Sequence, residues 1–196
     1  MIDPTRGARH YDVVAFVGSL RSGSYNRMLF NNVRRLSPAN MAISELTGWD
    51  EWQTLDVDLL NDGIPDAVTA MAQRIAESDA VLFVSPEYNY SIPGGLKNGI
   101  DWLSRVSPQP FTSKVVGIMG ASTGAIGTAR MQYHLRQVLV FLDGHPVNKP
   151  EVMVGRAAGE FDGEGRLVSE FYRTQVTELL ENLARQADRF KGRVSP

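Results

Sequence analysis

Between Pro86 and Pro93 the chain sets a carboxylate, two phenols and an amide side by side, Glu87-Tyr88-Asn89-Tyr90, and then runs on through Gly94 and Gly95. Such groups belong on a loop rather than in a core, and loops held by a rigid scaffold carry binding and chemistry. Backbone groups of Glu87 and Asn89, stiffened by the prolines, suit the polar edge of a planar ligand. Tyr88 and Tyr90 suit contact with its ring or closure of its pocket. A rigid turn whose tyrosines pack at a subunit surface would use the same residues. A second polar stretch, Gly18-Ser19-Leu20-Arg21-Ser22-Gly23-Ser24-Tyr25-Asn26, gathers hydroxyls, an amide and one guanidinium. Ahead of a helix, such residues make an anion site, because the first backbone N–H groups of a helix have no partner within it. Ser19, Ser24 and Asn26 can each donate to a phosphate oxygen, and Arg21 adds a charge-assisted contact. A serine-capped helix start is the plainer reading of that loop. A third loop, Ala121-Ser122-Thr123-Gly124-Ala125-Ile126-Gly127, tips the balance toward a ligand site shared by all three.

The flanking segments explain how three loops scattered in sequence could meet. Val13–Val17, Ala80–Val84 and Lys114–Gly120 are short apolar runs with the composition of buried parallel strands. Met41–Leu46 is a weaker strand, and Val147–Val154 a fifth, interrupted by Pro150. Between them, Met28, Leu29, Val33 and Leu36, then Val68, Met71, Ala72 and Ile75, then Met131, Leu135, Val138 and Leu142 recur at helical spacing. A last amphipathic helix is expected over Phe171–Phe190. Alternating strands and helices predict an α/β fold, a flavodoxin-like three-layer sandwich: a five-stranded parallel sheet of order 2-1-3-4-5 with helices on both faces. Strands one, three and four are then neighbours, and their C-terminal loops converge on one crevice at the switch in strand order.

The 196 residues predict one domain spanning 1–196. A net charge of −2 gives no reason to expect nucleic acid or an acidic membrane as partner, and no apolar run approaches membrane-spanning length, so a cytoplasmic protein is expected. With no cysteine there is no disulfide, thiolate metal site or cysteine nucleophile. His10, His134 and His145 lack metal-site spacing. Asp162-Gly163-Glu164-Gly165 lacks the rest of a calcium loop and reads as a turn.

The stretches Gly18–Asn26 and Pro86–Trp102 together resemble the NADPH-dependent FMN reductase family, most of all its bacterial chromate and quinone reductases. The similarity continues through Ala129–Gln137 and Asn148–Glu151 in the expected order. It implies non-covalently bound FMN, with Ser19, Arg21, Ser24 and Asn26 at the phosphate, Tyr25 also among the cofactor-binding residues, and Pro86, Glu87, Tyr88, Asn89 and Tyr90 against the isoalloxazine. Ala121 and Ser122 would complete the pocket. NADPH or NADH is the expected hydride donor, and quinones, chromate, nitroaromatics or free flavin the expected acceptors. No side chain needs to act as acid or base, so no catalytic residue is assigned. A flavodoxin-like carrier of single electrons is the alternative, and the small net charge speaks against it, since such carriers dock by strong charge complementarity. The resemblance also implies a homodimer or homotetramer, with Arg130, Tyr133 and Glu151 as interface residues. One region departs from the family pattern. Thr47-Gly48-Trp49-Asp50-Glu51-Trp52-Gln53 replaces a Leu-Pro-aromatic stretch near the ring, which points to Trp49 and Trp52 at the acceptor side.

Overall fold

The structure is a computed structural model, and it describes residues 9–191. The strands β1 (Tyr11–Val17), β2 (Met41–Glu45), β3 (Ala80–Val84) and β4 (Val115–Ala121) pair in parallel in the order β2-β1-β3-β4. The fifth strand is split. β5 (His145–Pro146) and β6 (Val152–Val154) each pair with β4 on its free edge, with registers Val115↔His145 and Met119↔Val152. The expected Val147–Val154 strand therefore starts two residues earlier and is broken by a longer excursion around Pro150 than a single interruption would give. The sheet order matches the expected 2-1-3-4-5.

Residues on β1 and β3 divide alternately between two cores, as a pleated strand requires. Val13, Ala15, Val17, Leu82 and Val84 face α1 (Tyr25–Leu36) and α5 (Glu170–Lys191). Val14, Phe16, Val81 and Phe83 face α2 (Asp66–Glu77), α3 (Gly94–Leu103) and α4 (Ala129–Phe141). Covered on both sides, these strands have no polar face to show, so they read as unbroken apolar runs. Phe16 stacks on Phe83 with ring centroids 4.9 Å apart, near the middle of the second core. Truncating either ring to alanine would cost about 3–5 kcal/mol.

The segment after β2, irregular by sequence, contains two short 3₁₀ turns, Trp49–Glu51 and Val57–Asp62. Trp49 is buried at 3 % exposure, edge-on to Phe16, with its indole N–H donated to Leu46 O. It packs on α3 where Gly95 and Gly99 leave room. A Cβ on Gly99 would meet the Trp49 side chain at 3.5 Å. At the opposite end of the sheet Asp79 closes the fold. It accepts the backbone N–H of Asp12 at 2.8 Å and pairs with Arg9 at 2.8 Å and with Lys191 near the end of α5.

Candidate active site

The crevice begins where β1 ends. Gly18 donates its N–H to Val84 O at 2.9 Å, and a Cβ there would lie 2.5 Å from Ser85 Oγ, so only glycine lets the two strand ends lie this close. Gly120 makes the matching approach from β4, where a Cβ would lie 2.1 Å from Ser85 O. The three loops therefore leave neighbouring strands with their backbones in contact.

In the first loop, Ser24 caps α1, its hydroxyl oxygen accepting the N–H of Asn26 at 3.2 Å and of Arg27 at 3.3 Å. Ahead of the cap, none of the six backbone N–H groups from Ser19 to Ser24 has a protein acceptor among the described residues. A run of unpaired N–H donors at a helix N-terminus forms an anion cradle. Ser19 is buried beside it, and the exposed Arg21 bonds only Gly23 O while lying over the Tyr25 ring at 5.6 Å. Nearby Arg27 is already committed in a two-pronged pair with Glu45, whose hydrogen bonds raise the guanidinium pKa above its ordinary value against the opposing effect of burial.

The second loop is pinned to α4. One oxygen of Glu87 accepts the N–H groups of Arg130 and Met131 at 2.9 and 3.1 Å, capping that helix from a distant loop, and the other lies 3.0 Å from Arg130 Nε. A carboxylate at a helix N-terminus is also favoured by the helix dipole. Tyr88 and Ser91 exchange backbone hydrogen bonds at 3.0 and 2.9 Å around Asn89 and Tyr90, which take φ of 48° and 68°. Two consecutive left-handed residues make a tight primed turn, uncommon for a tyrosine. The turn is held from outside: the Arg130 guanidinium sits 3.4 Å from the Tyr90 ring centroid, and Ser91 Oγ is 3.0 Å from His134 Nδ1. The backbone N–H groups of Glu87, Asn89 and Tyr90 have no protein acceptor among the described residues.

The third loop is fixed by Ser122, whose N–H donates to Val154 O at 2.9 Å while its carbonyl accepts from Ala157 N at 3.0 Å. Between the loops lies a cavity of about 380 Å³. Ten of the twelve residues expected from the sequence line it: Ser19, Arg21, Ser24, Tyr25, Asn26, Pro86, Glu87, Tyr88, Ala121 and Ser122. Asn89 and Tyr90 form the turn beyond it, and Thr123 joins the wall without having been expected.

Several of the expected site and interface side chains are engaged within the chain. Asn26 is partly committed within the chain, with one of its two amide N–H groups unpaired among the described residues. Its amide donates to Ala121 O at 2.9 Å and accepts from Ala121 N at 2.8 Å, tying the start of α1 to the end of β4. Arg130 belongs to the Glu87–Tyr90 loop, while Tyr133 donates to Glu151 at 3.0 Å and Glu151 also pairs with Lys149. Trp49 is packed in the core at 3 % exposure yet also lines a cavity of about 390 Å³ that shares Ser19 and Arg21 with the crevice, whereas Trp52 lines neither. The Glu87–Arg130 and Asn26–Ala121 contacts span 43 and 95 residues, so no local spacing reveals them.

The sequence profile of the NADPH-dependent FMN reductase family matches residues 11–159, a span that holds all three loops. The chain belongs to the NADPH-dependent FMN reductase family. An NAD(P)H-dependent FMN reductase of Pseudomonas aeruginosa is 47 % identical over 180 residues, covering 92 % of this chain and 97 % of that protein. A quinone reductase of Escherichia coli strain K12 is 48 % identical over 151 residues, 76 % of this chain and 80 % of the relative. Among solved structures, the flavoenzyme NAD(P)H:(acceptor) oxidoreductase FerB of Paracoccus denitrificans superposes with a TM-score of 0.82 at 29 % identity, covering 92 % of this chain and 98 % of that one. Membership in the FMN reductase family gives the unpaired N–H groups of the first loop a ligand of the right chemistry. FMN ends in a phosphate, and the cradle offers donors with Arg21 as the only cationic side chain lining the cavity.

Proposed function

We propose that residues 1–196 act as one FMN-binding domain of an oxidoreductase that uses NADPH or NADH to reduce small acceptors. Quinones stand first among these, with chromate, nitroaromatics and free flavin as further candidates. The observation that carries this reading is the set of six N–H groups from Ser19 to Ser24 without an acceptor among the described residues, in a loop whose Ser19, Arg21 and Ser24 line the same cavity as Glu87 and Tyr88. FMN, when bound, supplies a ring that takes up hydride from the nicotinamide and passes the electrons on. The protein's own contributions are binding and orientation. The N–H groups of Ser19 to Ser24, the hydroxyls of Ser19 and Ser24 and the Arg21 guanidinium would hold the phosphate. The free N–H groups of Glu87, Asn89 and Tyr90 would be donors for the polar edge of the ring, with Glu87 lining the cavity and the primed turn holding the other two beside it. Tyr88, half exposed, lines the cavity and would border the ring. The Glu87 carboxylate is occupied with α4 and Arg130, so it is not available to move a proton. Quinone reductases among the relatives and the chain's small net charge support enzyme over single-electron carrier.

The same reading includes a homodimer or homotetramer. Tyr133, Val140 and Phe141 on α4 are exposed at 54 %, 78 % and 86 %, an apolar strip that a second copy would cover. Arg130 and Glu151 flank this strip, though both already hold partners within the chain. A cytoplasmic location is proposed as well; among the described residues no helix is long and apolar enough to cross a membrane. Steady-state rates over a panel of acceptors with NADPH and NADH test the activity. Turnover of benzoquinone is expected, and its absence with both donors in FMN-loaded protein would overturn the assignment. Light scattering tests the assembly, and a monomer over a wide concentration range would refute it.

A further inference from the structure

A second cavity, of about 570 Å³, lies between the segment after β2, the start of α2 and the end of α3, and shares no lining residue with the crevice. Its walls include Trp52, Leu59, Ile64 and Trp102, and Asp62 and Asp66 stand at its rim. We propose that this cavity is a binding site for a small aromatic cation, and the proposal stands independently of the flavin assignment.

Three observations support it. The first is size and surface, since cavities of roughly 300–1,000 Å³ with mostly apolar walls and few polar groups are the usual form of small-molecule sites. The second is that the wall is built in advance. Asn98 on α3 donates to Trp52 O at 3.2 Å and Gln53 O at 3.1 Å and accepts from Leu55 N at 2.8 Å. Trp102 donates its indole N–H to Gln53 O at 2.7 Å. Four hydrogen bonds clamp the strap that carries Trp52 onto α3, so little ordering is left for the binding step. The third is charge. The 38 residues from Leu36 to Gln73 carry seven carboxylates and no lysine, arginine or histidine, in a chain of net charge only −2. Asp62 and Asp66 have no ion-pair partner among the described residues, unlike Asp12, Glu45 and Asp101, which do. An indole attracts cations through its ring quadrupole, and Trp52 is the part-exposed indole of this wall, Trp102 being only 3 % exposed; two carboxylates at the rim add to that pull. A neutral ring would gain only burial, and an anion would be repelled.

The three tryptophans make the test direct. Two line this cavity and the third, Trp49, is buried elsewhere, so the FMN-loaded protein should give three indole N–H signals in a ¹H–¹⁵N spectrum. Titration with 1-naphthylmethylammonium should shift the Trp52 and Trp102 signals saturably and leave that of Trp49 in place. The neutral 1-naphthalenemethanol should bind more weakly, and 1-naphthoate should not bind there. Replacing both rim carboxylates, Asp62→Asn with Asp66→Asn, should weaken the cation by about fivefold, with the alcohol unchanged. Asp62→Lys, which alters an exposed side chain, should turn the preference toward 1-naphthoate. Equal affinity for cation and anion, no shift at either cavity tryptophan, or an unaltered cation affinity in the double variant would each overturn the proposal.

Discussion

Replacing Asn26 by alanine separates a structural role from a ligand-binding one. The Asn26 amide makes two hydrogen bonds to the Ala121 backbone, at 2.9 and 2.8 Å, and both residues are buried. Alanine removes both partners and leaves an N–H and a C=O at the end of β4 unpaired. Each unsatisfied buried group costs about 1–3 kcal/mol. Partial entry of water into the vacated space brings the sum to about 2–4 kcal/mol, a large share of the ~5–15 kcal/mol by which a domain is stable. With a urea dependence of about 2 kcal/mol per molar, the unfolding midpoint of flavin-free protein should fall by about 1–2 M. Affinity for FMN should fall as well, because the first and third loops lose the tie that sets their spacing. Asn26→Asp keeps an acceptor for Ala121 N but sets an oxygen against Ala121 O, so it should be destabilising too. The assay is urea unfolding of the flavin-free protein followed by circular dichroism, paired with FMN titration. Unchanged stability of the flavin-free Asn26→Ala protein together with weakened FMN would refute the structural role and return Asn26 to the phosphate.

Other side chains make complementary tests. Arg21→Ala, at an exposed position, should leave stability within about 0.5 kcal/mol but weaken FMN by about 10-fold, the effect of losing one charge-assisted contact; equilibrium dialysis reads it. Glu87→Ala uncaps α4 and releases Arg130 from the turn, so a loss of about 1–3 kcal/mol and faster FMN release in stopped-flow are expected. Asp79→Asn probes the far end of the sheet. Burial alone would raise the Asp79 pKa, but the bonds from Lys191 and the Asp12 N–H and the charges of Lys191 and Arg9 outweigh it and hold the pKa below its ordinary value. A depressed folded pKa means the added stability is complete above the unfolded aspartate value of about 3.9 and fades as pH falls through the folded one. The variant should therefore be about 1–2 kcal/mol less stable at neutral pH, and the gap should close in strongly acidic buffer.

How far the sequence could be read depended on how local the determining contacts were. β1, β3 and β4 were legible because burial on both faces leaves continuous apolar runs. The edge strands were harder: β2 alternates weakly, and the fifth strand is two short pieces set by pairing with β4. Loop positions in the site followed directly from strand order, and ten of twelve expected residues line the cavity. Side-chain roles did not follow, because Asn26, Glu87 and Arg130 are each defined by partners far away in the chain. The burial of Trp49 was not legible for a related reason. The space that admits the indole to the core is left by Gly95 and Gly99 on α3, far along the chain.

The claim on which the account depends is that hydride passes through FMN held by these three loops. Anaerobic addition of NADPH to the FMN-loaded protein, followed in the visible absorption of the flavin, tests it in one step. Bleaching within the time of turnover is expected, with recovery of the oxidised spectrum on adding an equivalent of benzoquinone. A flavin that stays oxidised with both NADPH and NADH would contradict it.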